Sequence, residues 1–99
     1  MYGTVAKIQI KPGKYEAFKA LIDEQSQQSA GAGAVEVAVF QTDENPETLF
    51  MIAIFEDKDK YFQNADRPET DENFQKMAQY FAREPEWHDG EVVYYQKFD

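Results

Sequence analysis

The run Leu49-Phe50-Met51-Ile52-Ala53-Ile54-Phe55 constrains this chain more than any other stretch. Thr48 and Glu56 bound it. Successive side chains of a strand point to opposite faces, so this segment is apolar on both. A strand of that kind belongs in the middle of a sheet with both sides covered. The rest of the chain must supply the neighbours and the cover.

Three further strands are expected. Tyr2 to Ile10 places Thr4, Ala6, Ile8 and Ile10 on one face and Val5, Lys7 and Gln9 on the other. In Ala34 to Thr42, Val35, Val37 and Val39 share a face, and Ala38 and Phe40 share the opposite one. The acidic turn Asp43-Glu44-Asn45-Pro46-Glu47 is short enough to join this strand to Thr48–Glu56 as a hairpin. Its three carboxylates do not have the spacing of a calcium loop and read as a solvated turn. Glu91 to Phe98 is the expected fourth strand.

The helical pattern falls between these strands. Lys11-Pro12-Gly13-Lys14 is a turn, because Pro12 cannot continue a ladder. Tyr15, Phe18, Leu21 and Ile22 then repeat at helical spacing, which predicts a helix from Tyr15 to about Ser29, stopped by Ala30-Gly31-Ala32-Gly33. Asp57 to Ala65 is a short helix that carries Tyr61 and Phe62 inward, and Asp66-Arg67-Pro68 breaks it. A longer helix from about Glu69 to Arg83 presents Phe74, Met77, Ala78 and Phe81 as one stripe, with acids in its first turn. The order is β-α-β-β-α-β with the second α segment broken in two. It predicts a single α+β domain over residues 1–99: a four-stranded antiparallel sheet with helices on one face. The crossover rule sets the first strand beside the third and the fourth on the edge. Two helical segments cover one face only. The apolar second face therefore calls for a partner, and a second copy of the chain is the commonest solution.

Composition narrows the partners. The 19 acids outnumber 10 bases, for a net charge of −9. That argues against nucleic acid and against an anionic membrane surface. No apolar run reaches the length that crosses a bilayer, and the first residues lack a signal-peptide pattern, so a cytoplasmic location is expected. The absence of Cys excludes disulfides, thiolate metal sites and a Cys nucleophile, and a single His argues against a zinc site.

Several segments together resemble the antibiotic biosynthesis monooxygenase-like group of the dimeric α/β barrel, ferredoxin-like superfamily. They are the opening strand with Lys11-Pro12-Gly13-Lys14, then Tyr61-Phe62-Gln63-Asn64-Ala65 followed by Pro68, and Glu86-Trp87-His88-Asp89-Gly90-Glu91-Val92-Val93-Tyr94. The resemblance implies a homodimer with a ligand cleft in each subunit between helices and sheet. It also implies binding of a small aromatic or otherwise apolar molecule. Some members oxidise polycyclic phenols with dioxygen and no metal or flavin; others are small binding proteins, and others degrade haem through an Asn, a Trp and a helix-borne His. A non-catalytic dimerisation or ligand-binding module is thus the rival to a cofactor-independent monooxygenase.

The residues that could do the chemistry each carry a plainer role as well. His88 is the obvious base by its pKa range, or a corner histidine; because it precedes the expected last strand, it does not match a helix-borne haem ligand. Asn64 could hold a phenolate or peroxy oxygen, or cap the break before Pro68. Trp87 walls a pocket, seals the core, or does both. Tyr61 and Tyr80 could turn hydroxyls into a cleft, or pack. Phe62, Phe74, Met77 and Phe81 line a pocket if one exists and fill the core otherwise.

Overall fold

The computed structural model describes residues 1–26 and 33–98. The elements run β1 (Tyr2–Gln9), α1 (Tyr15–Ser26), β2 (Ala34–Gln41), β3 (Thr48–Phe55), α2 (Lys58–Ala65), α3 (Pro68–Ala78) and β4 (Glu86–Glu91). The sheet order is β2-β3-β1-β4, and every neighbouring pair is antiparallel. This is the expected α+β ferredoxin-like topology, with the apolar strand β3 inside and β4 on the edge. The expected helix end near Ser29 and the stop at Ala30-Gly31-Ala32 lie outside the described residues.

Register decides which side chains meet the helices. Ile8 pairs with Leu49, Ala6 with Met51, and Thr4 with Ala53. These side chains share the helix-covered face. Ala6, Ile8, Ile10 and Leu49 are buried there against Phe18 of α1 and Phe81. Phe18 sits 5.9 Å from Phe81, ring centroid to ring centroid, and is almost wholly enclosed. Gln25 Nε2 donates to the Asn73 carbonyl at 3.1 Å and ties α1 to α3. Gly3 lets β1 approach β3, since a Cβ there would lie 2.0 Å from the Ala53 carbonyl oxygen.

The opposite face has no helix. Val5 faces Ile52, Ala38 faces Ile52 from the other side, and Phe40 faces Phe50. Val5 is 43% exposed and Phe40 54% exposed. A bulge between Ala34 and Glu36 makes Val35 the extra residue of β2, so only Val37 and Val39 keep the common face expected for all three valines.

Three boundaries differ from the sequence reading, each for a visible reason. Asp57 is not in α2 but caps it, with Oδ1 accepting from Lys60 N at 2.8 Å. The second long helix starts at Pro68, a favoured first position, and ends at Ala78 rather than Arg83. The chain leaves it so that Phe81 can bridge to Ile10, with Lys11 N donating to Tyr80 O and Ala82 N to Gln9 O. Finally, β4 is Glu86–Glu91, not Glu91–Phe98. Its partner β1 begins at Tyr2, which already faces Glu91. One more bond, Val92 N to Met1 O, ends the pairing. Beyond it Val93, Tyr94 and Phe98 have strand-forming side chains but no strand to join, and all three are exposed. No helix among the described residues is long and apolar enough to cross a membrane.

Phe18→Ala should cost about 3–5 kcal/mol, the usual range for an aromatic removed from a packed core. Chemical denaturation of the variant against the parent chain measures this, and a loss under about 1 kcal/mol would show that Phe18 does not hold the helix layer to the sheet.

Candidate functional site

The helix layer is incomplete over β4. Trp87 and Asp89 alternate onto the helix-covered face, opposite Ala6 and Thr4, yet both are exposed. Trp87 is 45% exposed although its ring lies 6.1 Å from that of Phe74 on α3. Phe74 in turn reaches Phe81 at 5.8 Å. The helix layer therefore leaves Trp87 partly uncovered at this edge, beside Phe74.

From α2, Tyr61 and Phe62 reach the same face of the sheet. The cap at Asp57 starts the helix one turn earlier and so fixes their direction. Tyr61 packs edge-on against Tyr2 at 5.2 Å and Phe55 at 5.5 Å, and Phe62 lies 5.8 Å from Tyr2. The Tyr61 hydroxyl donates to Asp89 Oδ1 at 2.9 Å. Burial, then this hydrogen bond, push the Tyr61 pKa up to about 12. The Thr4 hydroxyl lies close enough to oppose the rise, yet it falls short of a full hydrogen bond to any protein group and is buried, at 6% exposure for the residue. Tyr61 thus keeps its proton through neutral pH and is a donor, not a base.

Asn64 lies one helical turn after Tyr61. Its Oδ1 is 3.5 Å from Thr70 Oγ1, a long contact, and its backbone carbonyl accepts from Arg67 N. The break before Pro68 is thus closed by the main chain of Asn64.

The candidate residues divide into three groups. Tyr61, Phe62 and Asn64 lie on α2, the first two against Tyr2, while Phe74 and Trp87 pack on each other at the β4 edge. Met77, Tyr80 and Phe81 pack on the main core beside Phe18. His88 lies on the other side of the sheet. It pairs with Val5 and lines a shallow groove of about 380 Å³ with Ile52, Ile54, Val93 and Tyr94. Strand alternation keeps His88 away from Asn64, so the two do not form one catalytic set. It also lies in a strand, not on a helix. Asp89 and Thr4 enter the site without having been singled out from the sequence. Starting the last strand at Glu86 would have revealed both, because Trp87 and Asp89 then share a face and Asp89 meets Thr4. Among the described residues no group of three or more His, Asp or Glu could hold a metal ion.

These features define a ferredoxin-like α+β chain with a partly exposed aromatic pair, Phe74 and Trp87, at its edge strand. The chain belongs to the antibiotic biosynthesis monooxygenase family, whose model matches residues 1–76. Solved structures agree on the fold. A conserved protein from Methanosarcina mazei Go1 is 27% identical, with a TM-score of 0.81, 90% of this chain and 89% of that one covered. SnoaB from Streptomyces nogalater, a cofactor-independent oxygenase, is 13% identical with a TM-score of 0.82, covering 95% and 94% of the two chains. No curated protein matches at a significant level.

The raised Tyr61 pKa carries a sign. A group whose pKa is higher folded than unfolded stabilises the fold fully below the unfolded value, about 10 for tyrosine, and loses that contribution as pH rises through the folded value. The stability difference between the parent chain and Tyr61→Phe should hold constant up to about pH 10 and shrink as pH rises toward about 12. Denaturation across that window checks it; a difference that shrinks near neutral pH would contradict the assignment.

Proposed function

We propose that the chain is a homodimer in which each subunit takes a small phenolic or other aromatic molecule into the cleft between α2, α3 and β4, and oxidises it as a cofactor-independent monooxygenase. The observation that carries this reading is the incomplete helix layer: Trp87 faces it beside Phe74 and is still 45% exposed. An aromatic surface with a few polar groups around it is what a small aromatic ligand needs. The exposed apolar face with Val5, Ala38, Phe40, Phe50 and Ile52 supports pairing with a second copy.

The chemistry asks little of the protein. A phenol with an adjacent oxidisable carbon ionises and passes electrons to dioxygen. That carbon loses two hydrogens and gains one oxygen as a carbonyl, and the second oxygen leaves as water. Phe62, Phe74 and Trp87 would flank the ring and keep water away. The Asn64 amide would donate to the phenolate or to the peroxy oxygen formed on the substrate.

A second reading, a binding module without catalysis, has its own observation. Tyr61 holds its proton and His88 faces the opposite side of the sheet, so neither serves as a base here, and the Asp89 carboxylate is already engaged by the Tyr61 hydroxyl. In that case ligand binds and nothing is consumed.

Oxygen uptake with a panel of anthrone-like phenols separates the two. The oxygenase reading expects uptake that is lost without air, and an Asn64→Ala variant that folds normally with kcat lower by roughly 10²-fold. No uptake across the panel, together with saturable binding of the same compounds, would leave the module reading.

A further inference from the structure

Asp89 has no part in the oxidation outlined above, yet it stands at the mouth of the cleft. Hydrogen-bond accounting shows what it would recognise. Tyr61 has one hydroxyl hydrogen, and that hydrogen goes to Asp89. The Tyr61 oxygen is left with lone pairs only. Asp89 only accepts when ionised, and its second oxygen has no protein partner among the described residues. Thr4 adds a hydroxyl that is buried and orphaned. That hydroxyl sits beside Tyr61 and out of a ligand's reach, so it supports the tyrosine rather than the ligand.

The polar end of the cleft is therefore rich in acceptors. A hydroxyl group matches it: its hydrogen goes to the free oxygen of Asp89 or to the Tyr61 oxygen. A carboxylate does not match, because it has no hydrogen to give and meets the charge of Asp89 at close range. Glu91 extends from the same face of β4 and adds to the negative field. Lys58 Nζ stands over the Tyr2 ring, 5.6 Å from its centroid.

We propose that Asp89 determines specificity: with Tyr61 it selects an uncharged hydroxy-aromatic ligand and rejects a carboxylated one of the same size. The proposal rests on the cleft being the ligand site. It adds a chemical consequence to the oxygenase reading. A hydroxyl held by Asp89 is kept protonated, so the ionisation that starts the oxidation falls on a different oxygen of the substrate, facing Asn64. Asp89 acts as a positioning residue, holding the Tyr61 hydrogen so that the tyrosine oxygen is presented as an acceptor.

The test is calorimetric titration at pH 7 with two probes of equal ring size, 2-naphthol and 2-naphthoate, against the parent chain, Asp89→Asn and Tyr61→Phe. Asp89 is exposed, so its variant should fold; circular dichroism of each variant confirms it. The parent chain should bind 2-naphthol about tenfold or more tightly than 2-naphthoate, and Asp89→Asn should bring the two within about twofold by strengthening 2-naphthoate. Tyr61→Phe should weaken 2-naphthol about tenfold and leave 2-naphthoate weak, because the Asp89 charge remains. If both probes bind and Asp89→Asn does not move their ratio, the Asp89 assignment is wrong and the cleft reading stands. If neither probe binds the parent chain, the cleft reading and the Asp89 assignment fall together.

Discussion

Strand β3 cannot be solvated on either side, and the molecule is arranged around that fact. Its helix-side residues Leu49, Ala53 and Phe55 are buried under the helices and their neighbours. Its other side carries Phe50 and Ile52, flanked by Lys7, Val5, Ala38 and Phe40, and no helix lies over them. Apolar surface left in water forgoes roughly 25 cal/mol for each Å² that could be buried. A standard interface buries about 1,600 Å² in total. For a chain of 99 residues, whose own margin of stability is small, covering that face would be a large part of its energetics.

Edge strand β4 connects this constraint to function. Alternation sends Trp87 and Asp89 toward the cleft and Glu86 and His88 toward the open face. A change in β4 register by one residue would exchange the two sets. The cleft wall and the open face are therefore specified by the same pairing with β1. Closing the open face against a second copy would also steady the strand that carries Trp87 and Asp89.

Much of this was legible from residue patterns. The two-faced run at 49–55 placed β3 inside the sheet, and the short turn at 43–47 predicted its hairpin with β2. The stripe at Phe74, Met77 and Phe81 identified the covering helix segment, although Phe81 lies past the helix end. The last strand was misplaced because Val92-Val93-Tyr94-Tyr95 has stronger strand character than Glu86-Trp87-His88-Asp89. Local preference cannot report that β1 starts at Tyr2 and offers no partner beyond Glu91. That one shift concealed the Tyr61–Asp89 bond and the separation of His88 from Asn64. Both depend on cross-strand register, which a single sequence does not encode locally.

The claim on which the account turns is that a second copy closes the open face. Sedimentation equilibrium at micromolar concentration measures it directly. The account predicts a folded species of twice the chain mass, and a charged substitution on that face, Phe40→Lys, that shifts it toward the single chain. A folded monomer of the parent chain at that concentration would contradict it.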